Sequence, residues 1–478
     1  MTHDDGRHDL ISGLERLDDR APDPPLGGDF VSLPLSLVTR FIQLLPAALA
    51  VAGWWKLREQ LYHVHWGRGP TIFLLTLASI ALILAVPRLA RLVSRAGGGV
   101  ARRSGTNTSS QRWLVAAALT AVALWTSGDE LTELRLNLAK EDERLLDIGG
   151  ATWAAARRFV EFGQNPYTHV NQLQVVTGAR GVTEIDGRVE MFGVPYFYGF
   201  AYFPAMFLSY APFRLIDPGQ HSIRIGNAFW LAVLLGGVAW LAFRLAPAGR
   251  QPQAAALAAV LLTATTGLGG QLFYFGITDV VIPVYVVLAL VAMSYRRYLL
   301  AGCLMGLAFS AKLLPGLLIV TIFFAWLARR GGLRAAVTGF ALVSSIVLLP
   351  FILWHPAGFL SATFLFYATH HAAGDTTSLW YYLPEALRFP FQLLGGLVTL
   401  AVALSPLWSE SDDQRDLLRA MVVATLVFLA FSTMIHLNYQ FAVVPLACVA
   451  LAADAAGGWG SGRSRAVPTA PVSRAEPT

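Results

Sequence analysis

The feature that most constrains this chain is its succession of long apolar runs. They lie near 33–55, 70–92, 113–133, 224–245, 254–272, 279–296, 298–311, 313–328, 335–354, 391–408, 418–434 and 440–455. A helix crosses a bilayer with roughly 20 apolar residues, and backbone inside lipid must satisfy its own hydrogen bonds. The runs therefore predict an all-α polytopic membrane protein with about 12 transmembrane helices. Composition agrees: 55% of residues are hydrophobic and 14% charged, against about a quarter charged in an average soluble domain.

The charges are distributed as membrane topology requires. Arg88, Arg91, Arg95, Arg102, Arg103 and Arg112 crowd one connection that contains no acid, the mark of a cytoplasmic loop. The net charge of +6 is thus a topological signal, and nucleic acid is not an expected partner. The same rule places Arg244/Arg250, Arg296/Arg297 and Arg329/Arg330/Arg334 on the cytoplasmic side. Segment 196–216 (YFYGFAYFPAMFLSYAPFRLI) is apolar enough to cross, but crossing would invert every later basic loop. Its aromatics and prolines suit a position in the outer interface instead.

This gives a division into four parts. Residues 1–32 are expected to be a disordered cytoplasmic tail, and 33–112 two additional N-terminal spans with their basic loop. Residues 113–456 form the main membrane domain and 457–478 a second disordered tail. Cys303 and Cys448 lie in apolar runs and read as packing residues. Two large connections, about 134–223 and 355–390, face outward and place any chemistry on the outer face.

The first of these connections contains DIGGATWAAARRFVEFGQNPY, residues 147–167. Its alanines predict a helix over 151–162, stopped by Gly163 and Pro166. Ala155, Phe159 and Phe162 share one face, with Arg158 and Glu161 turned away, as in a helix lying on a bilayer. Asp147 precedes this helix, where the dipole favours a carboxylate. There it could accept a proton from a sugar hydroxyl, or act simply as a cap. Lys312, in GLAFSAKLLPGLL, is one of only three lysines. Between two apolar runs it could bind a lipid phosphate as a compact point charge, or snorkel to the interface. Asp279, His355, His436, Asn438 and Tyr439 gather at the outer ends of later spans. His370-His371 with Asp375 is weak support for a metal site. Phosphate-loop, zinc-helix and nucleophile-elbow motifs are absent from the sequence, so energy must come from a gradient or an activated substrate.

Asp147, the Ala/Arg helix with Gly163–Tyr167, Tyr202-Phe203-Pro204, Lys312–Pro315 and His436–Tyr439 follow one another in that order. In this order and topology the chain resembles the GT-C superfamily of glycosyltransferases. More narrowly, it resembles the bacterial polyprenyl-phosphate-mannose-dependent α-mannosyltransferases. The resemblance implies a GT-C-like bundle with interfacial helices in the first outer loop, in the cell inner (plasma) membrane, with an extracytoplasmic active site. It implies Asp147 as general base for an inverting transfer. Lys312, His436, Arg157 and His355 would bind the donor phosphate, and Tyr167, Asp279 and Tyr439 the substrate. Its partners would be a polyprenyl-phosphate-linked sugar, a glycolipid or glycan acceptor, and membrane lipids; no cofactor or metal is implied. A charged stretch separates Asp147 from its preceding span, which keeps Asp129, Asp142 and Glu143 as alternatives for the base. A secondary transporter or lipid flippase is the alternative function, although no internal repeat of the transporter kind is present.

Overall fold

Within the described residues every apolar run forms a helix, because backbone in an apolar medium is satisfied most simply by its own hydrogen bonds. The computed structural model describes residues 145, 147–168, 182–185, 188–191, 194–195, 200–264, 272–273, 276–365, 378–432 and 437–457, with isolated positions at 73, 74, 77, 134–136 and 138. Those isolated positions apart, the spans expected at 33–55, 70–92 and 113–133 lie outside this set, as do the tails at 1–32 and 458–478; Gly457, expected at the start of the second tail, ends the last helix. The described residues all belong to one unit, Gln43–Thr478; the other, Met1–Ile42, is wholly outside the set.

The chain runs through α1 (Asp147–Phe162), β1 (Val182–Ile185), β2 (Arg188–Met191), β3 (Val194–Pro195), α2 (Pro204–Leu208), α3 (Ala211–Arg214) and α4 (His221–Leu245). It continues through α5 (Gln251–Thr263), α6 (Val281–Ser294), α7 (Tyr298–Ala311), α8 (Leu313–Arg330), α9 (Leu333–Trp354) and α10 (Pro356–Leu360). The remainder holds α11 (Leu379–Tyr382), α12 (Glu385–Leu404), α13 (Gln414–Phe431) and α14 (Val444–Gly457). Among the described residues, four stretches are long and apolar enough to cross a membrane: α4, α8, α9 and Glu385–Leu407. Helices α6, α7 and Val444–Ala456 are apolar but shorter.

Two features depart from a plain run of helices. The described part of 196–216 forms two short helices, α2 and α3, rather than one helix of crossing length. Pro204 and Pro212 each stand at the start of a new helix, where a missing N–H breaks no bond. The strands form a small antiparallel sheet of order β1-β2-β3, with Val182 opposite Met191 and Glu190 opposite Pro195. This sheet was not anticipated from the apolar runs. The sequence between the paired Ile185 and Arg188 is Asp-Gly, a strong two-residue hairpin signal.

Small residues set the tightest helix contact. A Cβ added at Gly302 of α7 would collide with the Ala336 carbonyl of α9, and one at Gly339 with the Leu299 carbonyl. At Gly306 it would stand 2.9 Å from the Phe340 oxygen and 3.2 Å from Ser344 Oγ. Helices in lipid associate through such close backbone approach rather than through burial from water.

Arginines at the α4–α5 and α8–α9 connections gather at one end of the bundle. Arg244 donates to the Ser294 carbonyl (3.3 Å), Arg250 to that of Ala456 (3.0 Å) and Arg329 to that of Leu407 (2.8 Å). Arg330 stacks over Trp326 at 3.6 Å and pairs with Asp412, while Arg419 holds both Asp454 oxygens at 2.6 and 2.5 Å. Among the described residues, the loops carrying Arg244/Arg250 and Arg329/Arg330 therefore meet at one end; Arg88–Arg112 lies outside them.

Replacing Gly302 by Leu is expected to lower stability in detergent by roughly 1–3 kcal/mol through overpacking. Gly236→Leu, at a position with nothing within 4 Å of an added Cβ, should be close to neutral. Equal thermal midpoints for the two variants would contradict the close α7–α9 packing.

Candidate active site

At the end opposite the arginines, α7 and α8 are separated by a break. Lys312 is extended (φ −153°, ψ 129°), and Leu314 also leaves helical geometry (φ −117°, ψ 130°). Pro315 accounts for this, since the residue before a proline is driven from the helical region. The break frees the Ala311 carbonyl, which accepts a hydrogen bond from the Phe203 N–H at 3.2 Å. The aromatic-proline segment is thereby tied to the break.

The Lys312 side chain is buried at this point. Its Nζ donates to Asp279 Oδ1 at 2.8 Å, and the two side chains are only 4% and 2% exposed. The ammonium also lies 4.5 Å from the centre of the Tyr439 ring and 5.3 Å from that of Tyr202. Ring faces attract a desolvated cation, and such support matters because an ion pair out of water stabilises only when its surroundings compensate for lost hydration. Lys312, Asp279 and Tyr439, singled out separately in the sequence, are thus one cluster.

Tyr167 joins it indirectly. Its hydroxyl donates to the Tyr202 carbonyl at 2.6 Å, and its ring packs edge-on against Phe359 at 4.9 Å. Burial pushes its pKa well above the usual 10, so it remains a neutral donor. Asn165 Oδ1 accepts from the Tyr167 N–H at 3.0 Å, an Asx turn that sets the Asn-Pro-Tyr bend. His355 caps α10, its Nδ1 accepting from the Gly358 N–H at 2.9 Å. That nitrogen must be unprotonated. Gly358 is packed so closely on His355 and the Tyr167 carbonyl that no side chain fits there.

Helix α1 begins at Asp147, four residues before the expected start. Gly149 and Gly150 have low helix propensity, but they permit a backbone contact: a Cβ at Gly149 would collide with the Gly276 carbonyl. Thr152 and Thr278 hydroxyls meet at 3.1 Å, and the Leu145 N–H donates to Gln220 Oε1 at 3.3 Å. The first turns of α1 therefore rest on the 276–280 turn that carries Asp279. The side chains of Asp147 and His436 lie outside the described residues, as do Asn438, His370, His371, Asp375 and the alternative bases Asp129, Asp142 and Glu143.

The rest of α1 is only partly covered. Its buried face holds Ala151, Thr152, Ala155 and Ala156, but Phe162 is 55% exposed. The helix ends there: Gly163 takes φ +59° and the Gln164 N–H closes onto the Arg158 carbonyl at 3.0 Å. Arg157 pairs with Glu161 at 3.0 Å and lies over Trp153 and Phe162 at 5.4 Å each, all within its own helix. Buried Arg214 also pairs with Glu161 and stacks over Trp153 at 4.9 Å. Against the upward pull of desolvation, these two guanidiniums hold Glu161 below the usual carboxylate range.

Sequence reasoning missed three buried polar residues beside the site. Tyr210 donates to Asn227 Oδ1 at 2.5 Å, Asn227 Nδ2 to the Leu272 carbonyl at 2.7 Å, and Arg224 Nε to the Phe273 carbonyl at 2.7 Å. The usable signal was Arg224 and Asn227, three residues apart at the start of an apolar span.

A family model described as Glycosyltransferase family 87 matches residues 200–440. Two solved structures are similar, both of ArnT from Cupriavidus metallidurans. The one bound to undecaprenyl phosphate shares 17% identity at TM-score 0.42, covering 72% of this chain and 60% of its own. The apo form shares 17% identity at TM-score 0.43, covering 73% of this chain and 60% of its own. The chain thus spans less than two thirds of that protein's length. No curated protein matches. The family match favours a transferase over the transporter alternative, and its range takes in Tyr202, Asp279, Lys312 and Tyr439. With just over half of its length matched, this chain belongs to glycosyltransferase family 87.

Proposed function

We propose that the protein transfers a sugar, mannose in our reading, from a polyprenyl-phosphate carrier to an envelope glycolipid or glycan at the outer face of the plasma membrane. The observation that carries this reading is the buried Lys312–Asp279 pair beneath two tyrosine rings, at a helix break facing away from the arginine-rich end. Basic ends face the cytoplasm, which supports an outer position for the cluster, where an activated sugar would arrive on a lipid. Cytoplasmic nucleotide sugars are not available there.

In this reading Asp147 removes the proton from an acceptor hydroxyl. The oxygen attacks the anomeric carbon in line and inverts it, while the carbon–oxygen bond to the phosphate breaks. The bonding pair leaves with polyprenyl phosphate. The phosphodiester carries one negative charge and the departing monoester gains another, so a fixed cation binds the transition state better than the ground state. Lys312 is that cation, with His436 as a second donor. Asp279 keeps the ammonium in place before the substrate arrives, and Tyr439 and Tyr202 flank the sugar-phosphate. Tyr167 acts by fixing Tyr202. Arg157 and His355, engaged by Glu161 and as a helix cap, serve structure.

The direct test supplies membranes with radiolabelled polyprenyl-phosphate-mannose and a lipid extract as acceptor. Wild type should label a new glycolipid, and Asp147→Asn should be slower by about 10²–10⁴-fold. Equal transfer by both would remove Asp147 as base and move the role to Asp129, Asp142 or Glu143. Lys312→Met should lower kcat by about 10²–10³-fold with a smaller change in KM. An unchanged kcat would remove Lys312 from leaving-group stabilisation.

A further inference from the structure

We propose that Arg224 is a positioning residue of this reaction, the countercharge that keeps the carboxylate at the start of α1 ionised and aimed. The inference rests on the reading of Asp147 as base. Arg224 is among the largest fully buried side chains, at 0% exposure. A guanidinium carries five donors and does not deprotonate in proteins. Holding one out of water calls for an anion beside it. Its Nε is turned to the Phe273 carbonyl at 2.7 Å, on the segment leading to the 276–280 turn.

The chain brings Asp147 to the same corner. Gln220, one helical turn before Arg224, accepts from the Leu145 N–H at 3.3 Å. A Cβ on Gly276 would meet Leu145 and would lie 3.7 Å from Ile223, the neighbour of Arg224. Gly149 packs on that same glycine. Leu145 and Gly149 bracket Asp147, so the residues two before and two after it are both fixed where Arg224 is buried. Among the described residues, the other charged and titratable groups near this corner are Asp279, paired with Lys312; Tyr210, bonded to Asn227; and His221 at the start of α4. Asp279 is the rival anion for Arg224.

Two measurements on the purified full-length protein test this. The first is a double-mutant cycle of thermal midpoints for Arg224→Gln, Asp147→Asn and their combination. Paired charges give single losses that do not add, with the double variant about 2 °C or more above the additive value. The second is the pH dependence of kcat. A neighbouring arginine lowers a carboxylate pKa by about 1–3 units, and the base works only when ionised, so Arg224→Gln should move the acid limb upward by about one unit or more. Arg224→Lys, which keeps the charge, should give intermediate values and stands in if Arg224→Gln does not fold. Additive midpoints, coupling to Asp279→Asn in place of Asp147→Asn, or lost activity with an unmoved limb would each overturn the proposal. The cycle needs no turnover, so non-additivity in a protein that transfers no sugar would uphold the pairing and reject the function proposed above.

Discussion

The structure around the site depends on one ion pair kept out of water. Separating Lys312 from Asp279 by removing either partner would leave a buried charge uncompensated, a loss of about 3–5 kcal/mol in comparable sites. The surrounding architecture reads as the means of tolerating the pair. Tyr202 and Tyr439 present ring faces to the ammonium, Tyr167 fixes Tyr202 through its carbonyl, and Phe203 is bonded to the break itself. On the other side, α1 rests on the turn that carries Asp279. Elements far apart in sequence are thereby drawn to one point at the end of the bundle.

A cluster built this way suits a reaction in which charge grows on a leaving phosphate. A lysine ammonium is a compact point charge, and pre-pairing with a carboxylate means that little reorganisation is needed when a second anion arrives. Membership of glycosyltransferase family 87 makes the chain a glycosyltransferase, and the separation of this cluster from the arginine-rich end supports the proposed lipid-phosphate leaving group. The aromatic lining is the expected partner for a sugar-phosphate, which has both apolar ring faces and a charge.

Much of the helical framework was legible in the sequence. Helix α7 runs Tyr298–Ala311, as its apolar run predicts, and the break at Lys312 falls where Pro315 requires it. The early start of α1 was not legible, because Gly149 and Gly150 argue against a helix, and only the packing of Gly149 on Gly276 accounts for it. The Asp-Gly between β1 and β2 was readable and passed over in favour of apolar runs. Pairing of Lys312 with Asp279, 33 residues apart, is a tertiary fact that spacing cannot supply. Arg224 was hidden because it sits in the first turn of a span, where a cation reads as a boundary.

The measurement closest to the central claim is lipid retention by native mass spectrometry, using purified protein with added undecaprenyl phosphate. Wild type should retain one lipid phosphate, Lys312→Met should lose it, and Asp279→Asn, with the competing carboxylate removed, should hold it at least as tightly. Equal retention by wild type and Lys312→Met would contradict the assignment of this buried pair as the donor-phosphate site.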